Sequence, residues 1–286
     1  MRLLRYIILA SFIIVGGIYG VVFAREKFTE DSVAPVIQAE ADEITVSVEA
    51  PDEELMQGLT ASDDKDGDVT SSIVVVSKND FITKGTRKVN YAAFDSHNNV
   101  GVYTRKVTYS DYSSPRFMAV KPFHFVYSDD DSSATVFSQV RAIDVLDGDL
   151  TASIRIVYGS ASESGTVYPV VMSVTNSAGD TASISVNAYR EDTTSFAIPS
   201  PALSEYIVYT KVGDPIDPAS YINGYYRNGI KTWFDENTKY SIDNMWWDDS
   251  GVDYNKPGEY VITYRLYGDE QEGELGQAEL YVIVEE

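Results

Sequence analysis

Two stretches of the chain gather aspartates around a glycine, a composition that is typical of a tight acidic turn. The candidate ligands are Asp63, Asp66 and Asp68 in the first stretch and Asp144, Asp147 and Asp149 in the second. Their carboxylates offer only hard oxygen ligands, which suit calcium and not zinc or copper. The spacing is not that of an EF-hand loop. Aspartate also forms turns by accepting hydrogen bonds from nearby backbone amides, so the sequence leaves calcium binding and turn formation as alternative roles.

A second group of candidate residues is aromatic and lies toward the C-terminal end of the sequence. Its members are Tyr225, Tyr226, Trp233, Trp246 and Trp247, which include all three tryptophans of the chain. Aromatic faces with amides and carboxylates nearby can stack on sugar rings or anchor a protein partner. The alternative is that these rings fill the core of a small β domain. The sequence does not decide between a ligand surface and a core.

Catalysis receives little support from the residue types. The two histidines, His97 and His124, stand in no nucleophile or metal motif, and the chain has no cysteine. We expect a protein that is not an enzyme, with no catalytic residue, no cofactor-binding residue and no required cofactor. Because acidic residues are abundant, the paired carboxylates of a glycan-active enzyme remain a third interpretation.

The charge of the chain excludes one class of partner. The formal net charge is -22, and a surface of this sign repels the phosphates of nucleic acid. The lack of cysteine excludes disulfides and thiolate metal sites. An exported protein without disulfides fits a Gram-positive surface.

The acidic stretches belong to an internal repeat of about 80 residues. Residues 61–73 recur as residues 142–154, a displacement of 81 residues. Apolar and polar residues alternate with a period of two, as in Ala182, Ile184 and Val186, which predicts strands with one buried face. A closing hairpin from Pro257 onward predicts a third, diverged copy. The pattern indicates an all-β protein of tandem immunoglobulin-like antiparallel β-sandwiches.

The repeat resembles the bacterial surface immunoglobulin-like family, which occurs in Gram-positive surface proteins and in an insecticidal crystal protein. The resemblance rests on the segment from Ala61 to Ile73, on a strand opened by glycine, and on a turn with Asp95, Ser96 and Asn99. It covers residues 34–110 throughout and the Asp-Gly-Asp segment of residues 115–190, whereas the third copy keeps only the closing hairpin. The resemblance implies an extracellular stalk or adhesion module and brings no catalytic residues with it.

The N-terminus predicts the compartment. Arg2 and Arg5 precede an uncharged run at residues 6–24, which is close to the length of about 20 residues that spans a bilayer. Two interpretations remain: a signal peptide cut after Ala24, which gives a secreted protein, or an uncleaved anchor in a bacterial plasma membrane. In both, the chain from Arg25 onward lies outside the membrane.

We predict a signal-anchor or signal peptide at 1–24, a linker at 25–33, Ig-like domain 1 at 34–111, Ig-like domain 2 at 112–192, a linker at 193–204 and a diverged Ig-like domain 3 at 205–286. The predicted function is a non-catalytic cell-surface protein, a membrane-tethered rod for adhesion to a protein or glycan. The alternative is a structural subunit of a cell-envelope assembly.

Overall fold

A computed structural model describes residues 2–29, 31–126, 137, 139–191 and 197–286. The chain divides into two compact units, Met1–Tyr112 and Ser113–Glu286. Parts of three predicted segments lie outside the described residues: Met1 of the targeting segment, Glu30 of the first linker and residues 193–196 of the second linker.

The N-terminal segment forms one helix, α1 (Arg2–Thr29), in a run that contains no proline. Its side chains at residues 7–23 are exposed. Within the part of the chain that the structure describes, no helix combines the length and the apolar character needed to cross a membrane. A spanning role for residues 6–24 is therefore not shown.

The first unit folds into two packed sheets. Its strands are β1 (Val36–Ala39), β2 (Glu43–Val46), β3 (Leu59–Asp63), β4 (Gly67–Asp68), β5 (Val74–Thr83), β6 (Thr86–Phe94) and β7 (Val100–Tyr109). A short helix, α2 (Asp52–Leu55), separates β2 from β3. The sheets have the strand orders β1-β3-β4 and β2-β7-β6-β5.

The core of this unit follows from the period of two. Every second residue of β3 is buried, and on β6 the alternate residues Val89, Tyr91 and Ala93 are buried as well. Charged side chains also lie inside this unit, and Arg105 of β7 is one of them: it is 1% exposed, and its guanidinium donates to the carbonyl oxygens of Leu55 and Gln57. Because these carbonyls belong to α2 and the turn after it, Arg105 fixes that segment against the sheet.

The second unit contains two more sandwiches. The strands of the first are β8 (Arg116–Met118), β9 (His124–Val126), β10 (Arg141–Asp144), β11 (Gly148–Asp149), β12 (Arg155–Tyr158), β13 (Val167–Thr175) and β14 (Thr181–Glu191). Those of the second are β15 (Ser200–Leu203), β16 (Ile207–Lys211), β17 (Ile222–Arg227), β18 (Ile230–Trp233), β19 (Met245–Asp248), β20 (Gly258–Tyr267) and β21 (Glu274–Glu285). The sheets have the strand orders β11-β10-β8, β12-β13-β14-β9, β15-β17-β18 and β16-β21-β20-β19.

The same arrangement of one three-stranded and one four-stranded sheet thus occurs three times. The predicted all-β sandwich class is confirmed. The displacement of 81 residues maps Asp63 at the end of β3 onto Asp144 at the end of β10. One detail of the prediction is wrong, because the sandwiches are not purely antiparallel. In each four-stranded sheet an early strand pairs in parallel with the last strand of the same repeat, as β2 does with β7.

The two sandwiches of the second unit share one hydrophobic core. A single cluster of buried residues includes Phe117 and Phe123 from one sandwich and Tyr206 and Tyr281 from the other. The rings of Phe123 and Tyr281 meet edge to face with centroids 5.8 Å apart. The backbone amide of Tyr206 donates to the carbonyl of Ala119 at 2.8 Å. The rod expected from three stacked domains stays a prediction, but these two sandwiches pack as one body.

Candidate functional site

Both acidic turns use aspartate to shape the backbone. Oδ1 of Asp63 accepts hydrogen bonds from the amides of Lys65 and Asp66 at 2.9 and 3.0 Å. Asp144 makes the same pair of bonds, to the amides of Leu146 and Asp147, at the same two distances. The glycine that follows each turn, Gly67 or Gly148, has a φ near +73°, which a residue with a Cβ adopts only with strain. Turn formation is therefore one role of these aspartates.

The third aspartate of each stretch points to a different partner. Oδ1 of Asp68 accepts from the amide of Thr70, and Oδ1 of Asp149 accepts from the amide of Thr151, both at 2.9 Å. Hydrogen bonds from Thr151, with a further bond from Arg141, lower the pKa of Asp149 to about 2. The structure does not bring Asp68 and Asp149 into a group of ligands, so the predicted triplets do not stay together.

In the first repeat, two of the predicted aspartates converge with two other carboxylates. Asp31, Asp63, Asp66 and Asp95 each offer an oxygen atom, and these atoms all lie within 4.8 Å of one another. Asp31 lies between α1 and β1, in the predicted linker, and Asp95 directly follows β6. Asp31, Asp63 and Asp95 are buried, with exposures of 6%, 9% and 8%, whereas Asp66 is exposed. We call this group the four-carboxylate cluster.

Hydrogen bonds from the β6–β7 turn hold two members of the cluster in place. The carboxylate of Asp66 accepts from the amide and the hydroxyl of Ser96 at 2.7 and 2.9 Å. Oδ1 of Asp95 accepts from the amides of His97 and Asn99, and its Oδ2 accepts from Nδ2 of Asn99 at 2.7 Å. Although desolvation acts in the opposite direction, these bonds together lower the pKa of Asp95. The hydrogen bonds from the turn therefore favour the charged form of Asp95.

Two oxygens of the cluster have no hydrogen-bond partner among the described residues. They are Oδ2 of Asp31 and Oδ2 of Asp63, and both atoms are buried. Oδ1 of Asp31 accepts from the amide of Val33 at 3.0 Å and lies 3.6 Å from Nζ of Lys65. A buried charged oxygen without a donor costs several kcal/mol unless a cation or a proton compensates it. The described groups around the cluster therefore do not supply a donor or a counter-charge to each of its buried oxygens.

The second repeat builds the same turn with a different side chain. Asn176 occupies the position of Asp95, and its Oδ1 accepts from the amides of Ala178 and Asp180, both at 3.0 Å. Its Nδ2 donates to Oδ2 of Asp144 at 3.2 Å, and Ser177 binds the carboxylate of Asp147 as Ser96 binds Asp66. Within the described residues no group of metal-ligating side chains forms at this turn.

Sequence reasoning missed Asp31 and Asp95 as members of the four-carboxylate cluster. His97 forms an overlapping group with Asp31 and Asp66. Asp95 could have been found, since it belongs to the turn that carries the family resemblance. Asp31 gives no sequence signal, because it joins the cluster only through the folding of the first unit.

The aromatic residues of the third sandwich divide between core and surface. Tyr225, Tyr226 and Trp247 are partly buried and pack against the core of the second unit. The ring of Tyr225 meets that of the buried Tyr240 edge to face, with centroids 5.2 Å apart. Trp233 and Trp246 are instead 62% and 44% exposed. The structure therefore separates the predicted surface into three packed rings and two exposed ones.

Each exposed tryptophan carries a cation over its ring. Nζ of Lys231 lies 4.1 Å from the ring centre of Trp233, and the guanidinium carbon of Arg265 lies 5.2 Å from that of Trp246. Trp233 ends the edge strand β18, opposite Gly224, which has no side chain to cover the ring. Trp246 lies on β19, an edge strand of the four-stranded sheet. The two rings thus lie on different sheets of the same sandwich.

Comparisons with known proteins show remote likeness only. No family model matches the chain, and no curated protein matches it. Among solved structures, "The structure of CBM51-2 in complex with GlcNAc and INT domains from Clostridium perfringens ZmpB" matches with 19% identity and a TM-score of 0.22, over 54% of this chain and 26% of that one. The protocadherin GammaB4 extracellular domain matches with 10% identity and a TM-score of 0.20, over 87% and 49%.

Drosophila N-cadherin EC1-4 matches with 13% identity and a TM-score of 0.22, over 90% of this chain and 76% of the cadherin chain. The chain thus spans about a quarter of the ZmpB chain and about half of the protocadherin chain. At such TM-scores the comparisons do not distinguish one function from another.

Proposed function

We propose that this chain is a non-catalytic bacterial cell-surface protein whose tandem β-sandwiches bind a glycan or a protein outside the cell. The observation that carries the proposal is the exposure of Trp233 on an edge strand, with 62% of its surface open to solvent. A large exposed aromatic side chain is the residue type that most often dominates binding energy at recognition surfaces. It also offers a flat apolar face on which a sugar ring can stack.

The cation at each exposed ring supports the same role. Lys231 lies over Trp233 and also donates to the carbonyl of Leu203 at 3.3 Å, so its ammonium is fixed to the backbone. Burial lowers the pKa of Lys231. A cation over the ring restrains the tryptophan before a ligand arrives, which reduces the entropy that binding has to overcome. Arg265 restrains Trp246 in the same way.

The placement of the protein at the cell surface rests on the sequence. In this proposal residues 1–24 direct the chain to the membrane, either as an uncleaved anchor or as a signal peptide removed at export. Sequencing the N-terminus of the mature protein from its host separates these two forms. An N-terminus at Arg25 identifies a secreted protein, and an intact helix identifies an anchored one. A protein that stays in the host's cytoplasm contradicts the proposal.

Binding is tested with the purified full chain in detergent against immobilised glycans and extracellular proteins. For a ligand that binds, we expect Trp233→Ala or Trp246→Ala to weaken affinity by about tenfold or more, as loss of a binding hot spot does. The matched control is Ile230→Ala, because Ile230 is 69% exposed on the same strand as Trp233 but is not aromatic. Equal affinity of both tryptophan variants and the wild type contradicts the assignment of the surface.

The same screen distinguishes the alternatives. A structural subunit of an envelope assembly binds neither glycans nor outside proteins and co-purifies with fixed neighbours. Release of a cleaved product from a bound glycan identifies an enzyme and contradicts the non-catalytic role.

A further inference from the structure

The acidic turns of the first two repeats share a backbone but differ in one side chain. Asp95 and Asn176 hold equivalent positions, because Oδ1 of each accepts hydrogen bonds from the amides two and four residues later in the chain. The difference between them is chemical. The carboxamide of Asn176 can donate a hydrogen bond, whereas the carboxylate of Asp95 only accepts.

This difference decides whether Oδ2 of the buried aspartate in the turn receives a hydrogen bond. In the second repeat Nδ2 of Asn176 donates to Oδ2 of Asp144. In the first repeat the corresponding Oδ2 of Asp63 is buried with no donor among the described residues. Oδ2 of Asp31 is in the same condition, and the Asp31 side chain has no exposed surface. Two buried acceptors therefore face a group of carboxylates in which no member can donate to them.

We propose that the four-carboxylate cluster of Asp31, Asp63, Asp66 and Asp95 binds one calcium ion, and that the second repeat binds none. The four oxygens lie within 4.8 Å of one another, so they can all contact a single ion. Calcium takes six to eight oxygen ligands in flexible geometry, and water supplies those that the protein does not. The ion gives the orphaned oxygens of Asp31 and Asp63 the partner that they lack.

The charges around the cluster favour a divalent cation over the ion pair with Lys65. Four carboxylates surround the site, and Nζ of Lys65 approaches one of them, at 3.6 Å from Oδ1 of Asp31. This ammonium lies on a side chain that is 38% exposed, so solvent screens it. In the part of the chain that the structure describes, the ion pair with Lys65 leaves most of the negative charge of the four carboxylates uncompensated.

The chemistry of the ligands favours calcium over a transition metal. His97 can join Asp31 and Asp66 in an overlapping group, and imidazole is a ligand that zinc prefers. Nδ1 of His97, however, lies 3.1 Å from Oγ of Ser96, which orders the ring through the turn. The two orphaned atoms are carboxylate oxygens, which are the hard ligands that calcium selects.

A calcium ion at this place joins three segments of the first unit. Asp31 precedes β1, Asp63 and Asp66 belong to the β3–β4 turn, and Asp95 begins the β6–β7 turn. The β3–β4 turn belongs to the three-stranded sheet, and the β6–β7 turn belongs to the four-stranded sheet. The ion therefore ties the chain that enters the first sandwich to both of its sheets. Since the unfolded chain cannot assemble these carboxylates, binding stabilises the folded unit.

The test is isothermal titration calorimetry of calcium chloride into the chelator-treated full chain. We expect one calcium ion per chain. Asp95→Asn should weaken calcium binding by about tenfold or more, because the substitution removes the charge of one ligand. The new amide is also the side chain that the second repeat has at this position, and it can donate a hydrogen bond to Asp63. This variant should fold, since Asn176 accepts the same two backbone hydrogen bonds in the second repeat, and the variant loses only the bond from Nδ2 of Asn99. Asp63→Asn is the second variant, because its remaining oxygen can keep the turn bonds.

Two controls separate the proposed ligands from their neighbours. Asp68→Asn removes one acidic charge from the same turn but outside the cluster, so calcium affinity should change by about twofold or less. His97→Ala should also leave calcium affinity unchanged, and zinc should not displace calcium. Thermal unfolding gives an independent measurement: at a calcium concentration of about ten times the dissociation constant, the transition of the first unit should rise by about 5–10 °C.

Four results overturn the proposal. The first is the absence of both a heat of binding and a thermal shift at about 10 mM calcium, a concentration above the affinity range of extracellular calcium modules. The second is an equal calcium affinity of Asp95→Asn, Asp63→Asn and the wild type. The third is binding of two equivalent ions per chain, and the fourth is a preference for zinc that His97→Ala abolishes.

Discussion

Nδ2 of Asn176 lies 3.2 Å from Oδ2 of Asp144 and donates a hydrogen bond to it, whereas Asp95 stands at the equivalent position beside Asp63 and cannot donate. The two turns make the same backbone hydrogen bonds, and at this position they differ in having an amide in one and a carboxylate in the other. Oδ2 of Asp144 therefore has a donor, whereas Oδ2 of Asp63 has none among the residues that the structure describes. The pair provides a comparison within one chain, in which each turn is the control for the other.

The first prediction reverses this difference in the second repeat. Asn176→Asp places a carboxylate beside Asp144, which is 3% exposed, and removes its donor. We expect the free energy of unfolding of the second unit to fall by about 1–3 kcal/mol in the presence of chelator, because a buried acceptor becomes unsatisfied. Calcium should recover part of this loss. Urea unfolding with and without calcium measures both effects, and unchanged stability in chelator contradicts the role given to the Asn176 amide.

The second prediction concerns the shared core of the second unit. Tyr281→Phe removes a hydroxyl that accepts from the amide of Asn187 at 2.7 Å and donates to Glu279. Because Asn187 and Tyr281 belong to different sandwiches, both should lose stability together, by about 1–3 kcal/mol. Calorimetry of the full chain should show one transition for this unit, lowered by about 2–4 °C for each kcal/mol.

The control for that substitution is Tyr267→Phe. Its hydroxyl makes a solvent-exposed hydrogen bond to Glu274 at 3.3 Å, so its loss should change the transition little. Separate transitions for the two sandwiches, with only one of them lowered by Tyr281→Phe, contradict the shared core.

The third prediction is a loss of stability at high pH. Burial raises the pKa of Tyr209 from its ordinary value of 10.0 to about 12, and burial also raises the pKa of Tyr206, Tyr264 and Tyr281. A pKa that is higher in the folded state gives stability that is complete below pH 10 and is lost as the pH rises through about 12. For Tyr209 the loss at pH 12 is about 2 kcal/mol.

Thermal unfolding between pH 9 and 12 measures this effect in the second unit. Tyr209→Phe removes the titrating hydroxyl, so the variant should show a shallower decline than the wild type over the same range. It should also be less stable at neutral pH, because that hydroxyl accepts from the amide of Phe117 at 2.8 Å. Parallel declines in the two proteins contradict the assignment to Tyr209.

The fourth prediction concerns the buried arginine of the first unit. Arg105→Ala removes the donors to the Leu55 and Gln57 carbonyls and leaves a cavity beside Tyr91, whose ring centre lies 5.6 Å from the guanidinium carbon. We expect a loss of about 2–4 kcal/mol, measured by urea unfolding of the first unit. Arg105→Met should lose less, because its side chain refills the apolar space. The exposed Arg155→Ala is the control that should leave the first unit unchanged. Equal stability of Arg105→Ala and the wild type contradicts the anchoring role.

The sequence by itself determined the β architecture and its repetition. Alternation with a period of two identified strand β14, because a strand buried on one face must alternate. The recurring Asp-Gly-Asp segment identified equivalent turns, because local hydrogen bonds between Asp63 and the next amides need only neighbours in the chain. Both signals are local, and local signals are visible in a sequence.

Only the tertiary structure decided the membership of the carboxylate cluster and the fate of the aromatic residues. Asp31 and Asp95 are distant in sequence from Asp63, and they meet because the sheets bring the start of β1 and the β6–β7 turn to the β3–β4 turn. Spacing likewise could not separate the exposed Trp233 from the packed Trp247, because burial depends on which sheet covers each strand. The parallel pairing of β2 with β7 is also non-local, since alternation describes one strand and does not name its neighbour.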